Sequence, residues 1–579
     1  MKKYILTILI SVMAIDVSCQ TNELFPAVDD REFDDGSEVE FPKLSVRVIN
    51  DLELLGRLWG FLKYHHPQVG KGNYNWDYEL FRVLPVYLKA ENGAERDKVL
   101  LNWINKYGEI PVCTNCKETP LNAYLKPDLS WIKNSNMNSD LKKKIEEIYA
   151  NRHQGDHYYI RMASRVGNPE FLNENAYSNV FYPDAGFRLL ALYRYWNMIQ
   201  YFFPYKYQTD KNWDDVLKEY IPVFISAKNE LEYELAAIQV IGEVNDTHAN
   251  LSGGGNAIAA SRGNRFAPFR VSFIEGQLVV TDYYNWDLKG TAGLEIGDII
   301  THINGEKIEA IVENLKKYYP ASNEAVRLAV ISFDLLRSNS STIDITYYSS
   351  DLSIQKELIL YASDTLNMYG LYKVDRNEKS YKLLDRNIGY ITLATIKNED
   401  IQEIRKSFLK TKGLIIDIRN YPSTFATYSL GSYFVSKSTP FVKFTMGNLN
   451  NPGEFTFRHG PKIPKMGRTY KGKLVVIVNE LSISQSEYTA MAFRAGKNTT
   501  IVGSTTAGAD GNVSSISLPG GLRTMISGIG VYYPDGKQTQ RVGIVPDVWV
   551  QPTIKGIKEG RDEVLEKAIE VIKQLLPPI

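Results

Sequence analysis

The sequence lacks a charge bias: Lys+Arg and Asp+Glu both total 67 of 579 residues. A neutral chain offers no electrostatic footprint for a nucleic acid or an acidic polymer. Long apolar runs are missing too, apart from one at the N-terminus, so no later segment reads as a membrane-spanning helix. Cysteine is scarce, with three in all. Two of them form Val112-Cys113-Thr114-Asn115-Cys116, with no histidine at metal-ligand spacing, and two thiols alone cannot complete a tetrahedral zinc site. A redox Cys-x-x-Cys opens a helix after a strand, whereas this one sits in a loop between Pro111 and Pro120. A small local disulfide, Cys113 to Cys116, is the reading that remains. Nothing implies a metal or organic cofactor.

What is present begins with Lys2 and Lys3 before an apolar stretch from Tyr4 to Ile15, too short to span a bilayer and typical of a secretory signal. It ends Val17-Ser18-Cys19-Gln20, similar to a bacterial lipobox with Cys19 as the acylated residue, although Asp16 stands where an aliphatic side chain is preferred. Ordinary cleavage near Ser18 is the alternative. Residues 1–19 are therefore expected to be a lipoprotein-type signal peptide. Residues 20–42, rich in Asp and Glu, are expected to be a disordered tether. Hydrophobic content of 44% is that of a globular protein, and the length predicts about three to four domains.

Residues 43–260 read as a helical domain with an internal repeat. Trp59, Tyr64, Pro67, Trp76, Asp77 and Pro85 recur 137 positions later as Trp196, Tyr201, Pro204, Trp213, Asp214 and Pro222. Each copy predicts a helix, a proline-bounded aromatic turn and a second helix. His65 and His66 are replaced by Phe202 and Phe203 in the second copy, an exchange that points to packing and not to metal binding.

Ser484 is the candidate nucleophile. It follows an apolar strand, Leu474 to Val478, and a short turn, and it opens a helical run from Gln485 to Phe493. A hydroxyl at such a turn lies beside free helix N–H groups able to hold an oxyanion. Ser484-Gln485-Ser486-Glu487 is also a capping box, so a plain helix cap is the alternative. Around it lie Gly413-Leu414-Ile415-Ile416-Asp417-Ile418-Arg419, then Gly503-Ser504-Thr505-Thr506-Ala507-Gly508, then Gly543-Ile544-Val545-Pro546-Asp547. This ordered set resembles the S41 peptidases, the C-terminal processing and tricorn-like proteases, over residues 375–575. The resemblance implies an α/β core of the crotonase-like ββα spiral type with Ser484 as nucleophile. In the tricorn-like branch a Ser/Thr-His pair ending the helical region supplies the base, which maps to Thr247 and His248. Residues 266–360, with Gly297-Asp298 feeding a strand that ends at Asn304-Gly305, resemble a PDZ domain, which captures peptides by strand addition.

The chain departs from that family in three places. The position 25 residues past Ser484, where Ser-Lys enzymes carry their base, is Ala509. Gln540 stands where tricorn-type enzymes orient the base with Glu, leaving Glu487, Asp510 or Asp535 as substitutes. Pro422 interrupts the loop after Asp417 and Arg419, so the amides of Ser423 and Gln485 are the expected oxyanion donors, with Asp417 and Arg419 holding the loop. The reading is an exported serine endopeptidase in the envelope of a Gram-negative bacterium, periplasmic or lipid-anchored at the outer membrane. It would act on unfolded or C-terminal peptide substrates. The rival is an inactive peptide- or lipid-binding protein on the same multidomain scaffold. The sequence leaves oligomeric state open.

Overall fold

The computed structural model describes residues 25–384 and 387–574. Cys19, the signal segment and the first part of the acidic stretch lie outside them. From residue 25 onward that stretch departs from the expected free tether and is docked on the helical domain. Phe33 is buried, Tyr78 donates to Asp34 at 2.5 Å, and Arg82 pairs with Asp30 and Glu32. Asp30, Glu32 and Asp34 have basic or phenolic partners, so these charges anchor the segment instead of solvating it.

The helical domain is built on α1 (Val46–His65), α2 (Trp76–Tyr87), α3 (Ala185–Phe202), α4 (Trp213–Ser226) and α5 (Glu230–Gly242). In each copy of the repeat the two tryptophans exchange hydrogen bonds. Trp59 and Trp76 donate to each other's backbone carbonyl at 3.0 and 2.8 Å, and Trp196 and Trp213 do so at 2.7 and 3.1 Å. The buried indole N–H groups are thereby satisfied. The copies also exchange charges: Arg57 on α1 pairs with Asp214 on α4, and Arg194 on α3, its repeat equivalent, with Asp77 on α2. The two hairpins thus meet about a pseudo-two-fold axis. Gly60 and Asn197, also equivalent positions, face one another there. A Cβ on Gly60 would lie 1.9 Å from the Asn197 side chain, so only glycine allows the approach. Burial pulls the His65 imidazole down to about 3 and that of His66 to about 4. Both are neutral packing groups, and His65 stacks on Phe61. Between the copies a short hairpin, β1 (Ile160–Met162) with β2 (Pro169–Phe171), projects toward the C-terminal region, and Cys113 is bonded to Cys116.

A second unit is an antiparallel sheet of β3 (Phe269–Ile274), β4 (Gln277–Tyr283), β5 (Ile299–Ile303), β6 (Thr342–Ser349) and β7 (Leu352–Ile359), in the order β7-β6-β5-β4-β3. Asn304 and Gly305 both have positive φ, 49° and 79°, in the two-residue turn that pairs Ile303 with Glu306. Helix α6 (Glu324–Asp334) packs on the edge strand β3.

The C-terminal unit is a six-stranded sheet. In sequence its strands are β8 (Tyr381–Leu383), β9 (Ile388–Thr392), β10 (Gly413–Asp417), β11 (Lys473–Val478), β12 (Thr499–Gly503) and, after a hairpin of β13 (Val513–Leu518) and β14 (Leu522–Ser527), β15 (Val548–Trp549). They lie in the order β8-β9-β10-β11-β12-β15, parallel except for the edge strand β8. Leu474, Val476 and Val478 face α7 (Gln485–Arg494), and Val475 and Ile477 face α8 (Glu563–Lys573). A strand buried on both faces needs apolar residues at every position, which accounts for the unbroken Leu-Val-Val-Ile-Val run. Ile516, Leu518, Leu522 and Ile526 of the β13–β14 hairpin join the core of the helical domain. No helix among the described residues is long and apolar enough to cross a membrane.

Candidate active site

The turn after β11 is fixed before Ser484 is reached. Asn479 Oδ1 accepts the Leu481 amide at 3.1 Å, and buried Ser482 donates its hydroxyl to Ile418 O at 2.9 Å. Ser484 then sits at φ 56°, ψ −115°, outside the extended backbone of an ordinary N-cap and sterically costly for a residue with a Cβ. Its amide is held from two sides, by Ala509 O at 2.9 Å and Glu487 Oε2 at 3.2 Å. Its side chain takes part in a capping box with Glu487 and lines a cleft of about 950 Å³.

Glu487 organises the opposite loop. Its carboxylate accepts Thr506 Oγ1 at 2.5 Å, the Gly508 amide at 2.9 Å and the Ala509 amide at 3.0 Å. Burial raises its carboxyl above the usual range even against these bonds. Gly508 is required by its φ of 72° and by the Arg541 backbone, which would lie 2.9 Å from a Cβ. Asp510, next in the loop, is buried and lines the cleft. Burial, then the charge of Glu487, pushes its carboxyl well above the ordinary range. Oδ1 accepts the Gly511 amide at 2.7 Å, and Oδ2 has no partner among the described residues.

His248 lines the same cleft as Ser484 although it lies 236 positions before the serine. Its Nδ1 meets Ser527 Oγ at 3.0 Å and lies 3.5 Å from Asp246 Oδ1. Asp246 is fully buried and also accepts the His248 amide at 3.0 Å and the Ser527 amide at 2.7 Å. Burial raises the Asp246 carboxyl, but the His248 imidazole and these amides together pull it below its ordinary value. With Nδ1 engaged, Nε2 is the ring nitrogen left over; it has no partner among the described residues. No hydrogen bond joins it to Ser484 Oγ. Thr247 fixes the segment from behind: it donates to Ala507 O at 3.3 Å and exchanges bonds with Ser322 at 2.8 and 2.9 Å.

Several expected supports lie elsewhere. The Ser423 amide is not open toward the cleft, because it donates to Leu393 O at 2.9 Å while its hydroxyl donates to Ile396 O at 2.6 Å. Pro422 turns the loop back onto the end of β9, and Tyr421 and Phe425 face the cleft in its place. The Gln485 amide, first in α7, has no acceptor among the described residues. Gln540 is buried, and neither of its side-chain polar atoms has a partner among the described residues, so it does not touch His248. Asp535 is exposed beside Lys537. Asp417 and Arg419 are bound to each other, and Arg419 continues to Asp562 at 2.7 Å, tying β10 to the cap of α8. Sequence reasoning missed Asp246 and Ser527. Asp246, two residues before His248, was open to inspection, whereas Ser527 is 279 residues away and carried no signal.

Residues 387–550 match the model of Peptidase family S41. A carboxy-terminal-processing protease of Bartonella bacilliformis is 25% identical over 288 residues, 47% of this chain and 58% of that protein. The chain therefore spans a little over half the length of this curated relative. Mature CPAF complexed with lactacystin superposes with a TM-score of 0.54 at 13% identity, over 68% of this chain and 98% of that one. Mature CPAF alone gives 0.53 at 13%, over 67% and 97%. At that identity the likeness is one of fold.

Proposed function

We propose that this chain is an exported serine peptidase in which Ser484 attacks a peptide carbonyl and His248 serves as general base. The carrying observation is that Ser484, at a strained backbone position, and an Asp246-paired imidazole line one cleft. Nε2 would take the hydroxyl proton as the tetrahedral intermediate forms and return it to the leaving amine. Asp246 and Ser527 hold the ring in the tautomer that leaves Nε2 basic, and Asp246 stabilises the imidazolium. The Gln485 amide at the positive end of α7 would receive the oxyanion. A water then attacks the acyl-enzyme by the same route reversed. The family match over residues 387–550 and the relation to a carboxy-terminal-processing protease support peptide substrates. The sheet of β3 to β7 is the candidate for helping to deliver them.

A fluorophosphonate probe tests the proposal. Covalent labelling of Ser484, lost in Ser484→Ala and reduced at least about a hundredfold in His248→Ala, is the expected result. An unlabelled wild-type protein overturns it. The occupied Ser423 amide favours the second reading, an inactive peptide-binding protein, which predicts no labelling with peptide affinity retained in Ser484→Ala.

A further inference from the structure

The walls of the Ser484 cleft are unlike one another. Part of the lining is aromatic: Phe425 stacks on Tyr488 with centroids 6.2 Å apart, and Phe444 lies 6.4 Å from the same ring. Tyr428 and Tyr488 share a hydrogen bond of 2.8 Å between their hydroxyls. That bond engages both hydroxyls, and the rings of Phe425, Tyr428, Phe444 and Tyr488 line the cleft. Tyr488 is one helical turn beyond Ser484, which puts this wall beside the nucleophile.

The lining also carries cations. The tip of the β1–β2 hairpin, residues 163–168, reaches the cleft from the helical domain. It is locked there by Asn168, which donates to Val513 O at 3.0 Å, and by Arg458, which donates to Val166 O. Arg165 at this tip is exposed, has a φ of 70°, and lines the cleft without a carboxylate partner among the described residues. Arg458 also lines it; its contacts are a carbonyl, the Met446 sulfur and the Phe444 ring. The one carboxyl on the cleft wall is Asp510, and burial holds it toward the neutral acid. Arg165 and Arg458 thus bring positive charge into the cleft beside its aromatic lining, against a single carboxyl that burial shifts toward the neutral acid.

We infer that the cleft selects peptides in which a carboxylate accompanies a bulky apolar side chain, the carboxylate held by Arg165 with Arg458 and the apolar group laid on the Tyr488 wall. This rests on reading the cleft as a peptide site, and it deepens the proposed function by naming the substrate class. The carboxylate can be an acidic side chain or the peptide's own C-terminus, since the same guanidinium fork reads both.

Binding separates this inference from catalysis. Fluorescent peptides with a central Phe are titrated against the Ser484→Ala protein in three forms: an acidic side chain with an amidated end, a free C-terminus with neutral side chains, and a neutral amidated peptide. One or both carboxylate forms should bind about tenfold or more tighter than the neutral form, and the advantage should shrink in high salt. The exposed site allows Arg165→Gln and Arg165→Glu without repacking a core. The first should erase most of the advantage and the second should reverse it. Equal binding of all three peptides, or an advantage that survives Arg165→Glu, overturns the inference. Failure of probe labelling at Ser484 would sink the hydrolytic proposal and leave this result standing.

Discussion

Asp246 and His248 are joined twice: one carboxylate oxygen accepts the histidine's own amide at 3.0 Å and lies 3.5 Å from its Nδ1. The same residue that sets the backbone thus sets the ring. In Asp246→Asn the side chain keeps its shape but can no longer stabilise an imidazolium. Hydrolysis of a peptide substrate should fall by about 10³-fold or more in kcat, with KM changed little. A loss below tenfold would remove Asp246 from the catalytic account.

Ser484 stores strain for its position. Ser484→Ala and Ser484→Gly should be equally inactive, but glycine adopts a φ of 56° without a Cβ penalty. Ser484→Gly is expected to be more stable than Ser484→Ala by about 1 kcal/mol. Denaturant unfolding of the two variants measures this, and an alanine variant of equal or greater stability would contradict it.

The raised carboxyl of Asp510 gives a pH signature in stability. A carboxyl higher in the folded than in the unfolded state penalises folding once the unfolded group ionises. The cost grows as pH rises from 3.8, the value of the free side chain, toward the folded value. Asp510→Asn should therefore melt above the wild type at pH 7 to 9 and converge with it at pH 3. Parallel melting curves across that range would show that the carboxyl is not perturbed.

The exchanged ion pairs of the repeat differ in burial. Arg194 is fully buried with Asp77 and Glu174, whereas Asp214, the partner of Arg57, retains 32% exposure. Arg194→Met should cost about 3–5 kcal/mol because it strands buried carboxylates, and Arg57→Met about 1 kcal/mol. Equal losses on chemical unfolding would refute the asymmetry.

The parts legible in the sequence were those written in local pattern. The apolar run before Ser484 and the helical run after it announce a strand, a turn and a helix, and the repeat announces paired hairpins through its tryptophans. Orientation was harder. Whether the Ser423 amide looks into the cleft depends on how Pro422 turns the chain, and no spacing encodes that. Asp246 went unselected because an aspartate two residues before a histidine is unremarkable until burial removes water from both. The acids after residue 25 looked like solvated charge, since their partner Arg82 belongs to a helix some fifty residues further on.

The hairpin tip at residues 163–168 has a consequence for how this polypeptide can be divided. A fragment cut at residue 375 would keep the serine hydroxyl but lose the imidazole, Asp246 and the guanidinium of Arg165. A nick between Arg165 and Ser484 would leave these groups on separate pieces. On the proposed mechanism, removing the chain through His248 forfeits reactivity even where the remainder still folds.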